Sequence, residues 1–158
     1  MDRGKLPPPS SSNIAEQIVE QILAKKGKEE VPRPTHNEVV QKVKEIGEML
    51  GKTAEVEQGE VYKHDGLWRD KPYAIPKLVI EVCDKGNLDK DIASLIWAVE
   101  TWGANGILVL FEDSDFHAAQ RKLAQEKPIH PIKCEDVLKL HSLLQAGNIK
   151  AIKSIFGI

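Results

Sequence analysis

Cysteine is scarce in this chain: 158 residues hold two, Cys83 and Cys134, far apart and with no CxxC pair. That excludes a zinc knuckle and a disulfide-stapled secreted scaffold, and leaves a Cys83–Cys134 bridge as the one disulfide open to the chain. No run approaches the roughly 20 consecutive apolar residues that cross a bilayer. The start, Met1-Asp2-Arg3-Gly4-Lys5, leads into prolines and serines rather than the apolar region of a signal peptide, so a cytoplasmic location without a membrane partner is expected. A basic field is missing too: 22 Lys and Arg against 24 Asp and Glu give a net charge of -2. The global attraction that usually announces a nucleic-acid binder is therefore absent, although a local basic patch still grips phosphates and an acidic site is offset by bound cations. There is no GxxxxGK[ST] or GxGxxG run, which lowers nucleotide-binding readings. The five histidines (His36, His64, His117, His130, His141) form neither HExxH nor a Cys/His pattern, which leaves a zinc enzyme poorly supported.

What is present suits one globular domain: 41% hydrophobic and 29% charged residues are enough for a core. Residues 1–12, with three prolines and three serines behind a charged start, cannot bury apolar surface and read as a flexible leader. Residues 13–34 read as an N-terminal helix and linker: Ile14, Ile18, Val19, Ile22 and Leu23 recur at helical spacing up to Lys25-Lys26-Gly27, and a charged, proline-containing stretch follows. Residues 35–158 read as an α/β domain. Thr35-His36-Asn37-Glu38 has capping-box spacing, and Val39, Val40, Val43, Ile46, Met49 and Leu50 continue a helical stripe to Gly51.

Strands are expected over Thr53–Glu57, over Glu60 to about Trp68 after the Gln58-Gly59 turn, and over Lys77–Cys83. Residues 88–102 predict a buried helix between Asn87 and Gly103, and Gly106–Phe111 a buried strand. A polar helix over Asp115–Glu126, a short strand over Ile129–Lys133, a helix over Glu135–Ala146 and a last short helix over Asn148–Phe156 complete the order. A three-strand meander followed by a helical crossover predicts a central mixed sheet of four to five strands with helices on both faces.

Glu81 is the most informative residue. It lies inside the apolar strand Lys77-Leu78-Val79-Ile80-Glu81-Val82-Cys83, where an ionised carboxylate must be paired, hydrated or bound to metal. Asp65, in His64-Asp65-Gly66-Leu67-Trp68, lies beside it if the strands form a meander, and carboxylates on adjacent strands suit hard cations such as Mg²⁺. Each has a plainer reading. Asp-Gly is a favoured turn dipeptide, and a strand glutamate also serves as an edge charge or as the ion-pair partner of a lysine.

The acid in HDGLW, the proline-containing spacer, Glu81 in VIEVCDKGN, the helix LDKDIASLIWAVETWGA and the strand GILVLF together resemble the PD-(D/E)xK nucleases over roughly residues 38–112. The resemblance implies a restriction-endonuclease-like αβββαβ core and metal-dependent cleavage of a nucleic-acid phosphodiester, DNA above all. It assigns Asp65 and Glu81 to Mg²⁺ or Mn²⁺, the Val82 carbonyl to the same ion, and Glu48 as an additional acid from the preceding helix. The family's water-orienting lysine, two positions after the glutamate, is here Cys83, and a thiol does not replace an ammonium. Lys85, on the same face if the strand runs that far, is the best substitute, ahead of Lys63 and Lys90. The alternatives are a catalytically degenerate member that binds nucleic acid or assembles a larger complex, and an unrelated α/β interaction module.

Further readings follow from single residues. Glu48 is equally a solvated helix charge, and Cys83 a small buried residue rather than a nucleophile. His64 is placed to touch substrate. Trp68 is the tryptophan nearest the expected cleft, while Trp97 and Trp102 read as packing residues. Lys25-Lys26-Gly27-Lys28 is either a phosphate-contacting arm or a solvated helix cap. A homodimer is expected, because helices 14–26 and 149–156 have apolar faces for a partner to cover.

Overall fold

The computed structural model describes residues 33–124 and 128–147. The leader, the helix over 14–26, the lysine cluster at 25–28 and the last helix over 148–156, and with them the surfaces on which the homodimer rests, lie outside the described residues.

The described chain is an α/β fold: a five-stranded mixed sheet flanked by four helices. In chain order the elements are α1 (His36–Met49), β1 (Thr53–Gln58), β2 (His64–Arg69), β3 (Leu78–Cys83), α2 (Leu88–Trp102), β4 (Asn105–Leu110), α3 (Asp113–Lys122), β5 (Ile129–Lys133) and α4 (Cys134–Gln145). The strands lie side by side in sequence order. β1, β2 and β3 are antiparallel, and β3, β4 and β5 are parallel. No described helix is long and apolar enough to cross a membrane.

Period-2 alternation divides the core between the two faces. Ile80, Val82, Ile107 and Val109 join Val39, Val43 and Ile46 of α1 and Val137, Leu140 and Leu144 of α4. Val79, Cys83, Leu108 and Leu110 join Ile92, Leu95 and Ala98 of α2 and Ala119 of α3 on the other face. β3 and β4 are covered on both sides, which is why each reads as a nearly continuous apolar run. Each crossover then returns the chain the same way. The carboxyl ends of β3, β4 and β5 and the amino ends of α2, α3 and α4 therefore share one edge of the sheet, the edge at which open α/β sheets generally build their sites.

Two boundaries move in ways that matter. β2 begins at His64, not Glu60: Gln58 pairs with His64, and residues 59–63 form the hairpin loop. Gly59 has φ +144°, and a Cβ there would sit 1.8 Å from the Tyr62 carbonyl oxygen, so the tight loop needs glycine. Val61 is 65% exposed, while Tyr62 turns in towards Trp97. Asp65 is thus the second residue of β2 rather than a residue well inside it. β3 stops at Cys83, so Lys85 is not on its alternating face. Lys85 sits in the connecting bend with φ +58° and its side chain in solvent.

Candidate functional site at the carboxyl edge of the sheet

Glu81 is 4% exposed in the middle of β3, on the α2 side. A buried carboxylate must find donors, and it finds three. His64 Nδ1 lies 2.8 Å from Oε2. The Ser94 hydroxyl, from α2, donates to the same oxygen and lies 2.9 Å from His64 Nδ1. The backbone N–H of Asp65 donates to Oε1 at 3.2 Å. This network assigns the imidazole proton to Nδ1. The far nitrogen, Nε2, has no hydrogen-bond partner among the described residues, and the ring is stacked 6.0 Å from Trp97 and edge-on 5.6 Å from Trp102.

Asp65 fills the gap where β2 leaves β3. The last registered pair of the two strands is Gly66 with Ile80. Beyond it, the N–H of Val82 donates to Asp65 Oδ2 at 2.7 Å, and the Val82 carbonyl accepts from His36 Nε2 at 3.0 Å. His36 opens α1, and its Nε2 also lies 3.4 Å from Asp65 Oδ2. One imidazole nitrogen thereby faces both the carboxylate and the carbonyl. Burial pushes the Asp65 carboxyl up from its ordinary value; the Val82 N–H opposes this, and the nearby Glu81 charge reinforces it.

A third carboxylate belongs to the group. Asp91, in the first turn of α2, is pushed up to about 6, first by burial and then by the charges of Glu81 and Asp65. The Cys83 thiol is pushed up to about 12, first by burial and then by Asp91 and Asp115, so it is neutral at every physiological pH. Both cysteines are free, and they lie on opposite faces of the sheet.

Of the residues expected to carry chemistry, Asp65, Glu81 and Val82 come together; the others do not. Glu48 lies about 18 Å along α1 from His36 at 1.5 Å per residue, exposed and paired with Lys44. Lys85 and Lys90 are exposed, and Lys63 is 71% exposed beside Glu57. Among the described residues, neither Asp65 nor Glu81 pairs with a lysine or arginine. His64 is buried and turned away from solvent instead of facing a substrate. Trp68 packs against Gly47 on the α1 face, on the other side of the sheet from Glu81.

The acids and carbonyl that the resemblance gives to a divalent ion are engaged by protein donors, and His36 takes the position facing both Asp65 Oδ2 and the Val82 oxygen. Among the described residues, no group of three or more His, Cys, Asp or Glu side chains is arranged to hold a metal. As folded, this donor set does not fit the ion.

No protein-family model, curated protein or solved structure matches the chain. The meaning of the site therefore rests on its own geometry. Sequence reasoning missed His36, Asp91 and Ser94. Ser94 did leave a signal, as the lone hydroxyl inside the apolar stretch Ile92–Val99. His36 left none beyond its place in a capping sequence.

Proposed function

We propose that the chain is a nuclease-like domain that does not hydrolyse its target and acts by binding nucleic acid. One observation carries the first half: the Glu81 carboxylate is buried and accepts from His64, Ser94 and the Asp65 N–H, so both its oxygens are bonded inward rather than open to a cation. Metal-assisted phosphodiester hydrolysis needs a cation that polarises the phosphate and activates a water. Here the acids are bonded inward, and a neutral thiol stands where the resemblance expects an ammonium. The acid pair works instead as a joint that fastens β2, β3 and α2.

The second half is supported by charge segregation. Asp65, Glu81, Asp84, Asp91, Glu112, Asp113 and Asp115 gather at the carboxyl edge. Arg33 and Lys133 pair with some of these acids, which still outnumber them. Lys52, Arg69, Lys71 and Lys77 gather at the opposite end of β2 and β3, where Asp70 and Glu55 offset part of their charge. A chain of net charge -2 thus still presents a basic end to an anionic polymer. The test combines cleavage and binding. Plasmid and branched DNA incubated with the chain and Mg²⁺ or Mn²⁺ stay intact, while log K for DNA falls linearly with log salt. Metal-dependent nicking that Glu81→Gln abolishes would overturn the proposal, and so would the lack of any salt-sensitive binding.

A further inference from the structure

The loop between β2 and β3 holds the one aromatic ring among the described residues that is fully in solvent. Tyr73 is 100% exposed, and Ile75 beside it 65%. Lys71, Pro72, Tyr73 and Ala74 make a tight turn closed by the Ala74 N–H to the Lys71 carbonyl at 3.1 Å. Proline stands second, and Tyr73 stands third with φ +70°. This is the pattern of a type II turn, whose third position is normally glycine or asparagine because φ is positive there. A bulky residue adopts that conformation at a conformational cost, and Tyr73 recovers none of it by packing. Strain held at an exposed aromatic is a feature of surfaces that bind something.

The turn is also held firmly. The Arg69 guanidinium donates to the Ala74 carbonyl and lies 3.0 Å from Glu55. The Lys77 N–H donates to the Trp68 carbonyl at 2.8 Å, and the Lys77 carbonyl accepts from the Asn105 N–H at 2.9 Å. Asp70 bridges Lys52 at 2.6 Å and Lys77 at 3.5 Å. Four cations (Lys52, Arg69, Lys71, Lys77) belong to the turn and its anchors against two carboxylates, Asp70, which pairs with Lys52 and Lys77, and Glu55, which pairs with Arg69, so the turn carries a net positive charge. Lys71 has no ion-pair partner among the described residues.

We propose that this turn is a stacking platform for single-stranded nucleic acid. The Tyr73 ring takes the face of an unpaired base, Ile75 extends the apolar contact, and Lys71 and Lys77 meet the phosphates on either side. A protruding ring finds a base face on a single strand and not inside a stacked duplex, while the cation excess favours a polyanion over an apolar protein surface. The inference rests on the binding reading above and gives it a site away from the acid pair.

The test is fluorescence anisotropy of the full chain with labelled oligodeoxythymidylate and with a duplex of equal length. The expected result is a preference for the single strand, weakened about tenfold by Tyr73→Ala, as for loss of one base–aromatic stack, and kept by Tyr73→Phe. Tyr73→Gly separates binding from folding: it weakens binding as much as Tyr73→Ala does and raises the melting temperature, because glycine suits the positive φ. Lys71→Glu weakens binding and flattens its salt dependence. Unchanged affinity in Tyr73→Ala and Tyr73→Gly overturns this inference and leaves the binding reading standing. No oligonucleotide binding by the natural chain overturns the binding reading and this inference with it. Self-association lost in Tyr73→Ala, without oligonucleotide binding, assigns the turn to a second copy of the chain instead.

Discussion

His64 Nδ1 stands 2.8 Å from Glu81 Oε2, and both side chains are buried. The strand that carries Glu81 is otherwise apolar, so this contact decides how a carboxylate survives there: its partner is an imidazole from the next strand, steadied by a serine from the covering helix. Removing one member leaves the others buried without their acceptor or donor. Glu81→Ala is expected to cost about 3–5 kcal/mol of stability, the usual penalty for breaking a buried pair from one side. Glu81→Gln keeps an acceptor for Ser94 and should cost less. His64→Leu with Glu81→Leu should cost less than the sum of the single changes, as a coupled pair requires. Urea unfolding of the five variants, the two leucine singles included, reads these differences; a Glu81→Ala penalty below about 1 kcal/mol would mean that the joint is unimportant to the fold.

Asp91 gives the site a pH signature. Its folded value of about 6 lies above the ordinary carboxylate value of 3.8. Between those two pH values the folded chain holds a proton that the unfolded chain has lost, so this residue's contribution to stability falls as pH rises through the window and is level above it. Asp91 is partly open to solvent, which screens the effect to the order of 1 kcal/mol. Thermal melts from pH 4 to pH 7 should show Asp91→Asn gaining on the natural chain as pH rises to about 6, and running parallel to it beyond. Parallel curves throughout would remove Asp91 from the acid group.

How much of this was legible in the sequence depended on how local each signal was. α2 was readable to the residue because Asn87 caps one end, Gly103 in the left-handed conformation closes the other, and nothing between breaks the apolar pattern. The β1–β2 hairpin was misread because Glu60-Val61-Tyr62-Lys63 alternates like a strand, whereas the deciding fact is the φ of Gly59. The site was readable in Glu81, whose burial announces itself, and unreadable in its partners. His36 meets Val82 across 46 residues, and Ser94 meets His64 across 30. No spacing rule links such pairs before the sheet order is known. Lys85 failed for a local reason, since the strand that would have aimed it ends two residues earlier.

Gly47 offers a check on packing that reverses the usual rule. A glycine inside a helix normally loses to alanine by about 1 kcal/mol. At this position an added Cβ would sit 2.6 Å from Trp68 Nε1, and the indole is buried against the sheet. Gly47→Ala is therefore expected to destabilise by about 1–3 kcal/mol through overpacking. A gain in melting temperature on this substitution would show that Trp68 moves aside freely.

His36 decides whether the acid pair can accept a cation. Its Nε2 faces the Val82 carbonyl at 3.0 Å and Asp65 Oδ2 at 3.4 Å, the two oxygens that an ion at the head of β3 would need. In the natural chain, Mg²⁺, Mn²⁺ or a chelator should leave the melting temperature unchanged, because that position is taken by a nitrogen of the protein itself. His36→Ala removes the nitrogen and leaves a carbonyl and a carboxylate facing open space, with Asp91 close enough to add charge. Mn²⁺ should then stabilise the variant, by about 2.7 kcal/mol at a hundredfold excess over its Kd. Adding Asp65→Asn to His36→Ala should cancel the gain, which separates binding at this carboxylate from binding elsewhere on an acidic surface. If Mn²⁺ already raises the melting temperature of the natural chain, and Asp65→Asn abolishes that rise, the acids hold a metal with His36 in place, and the non-hydrolytic reading loses its physical basis.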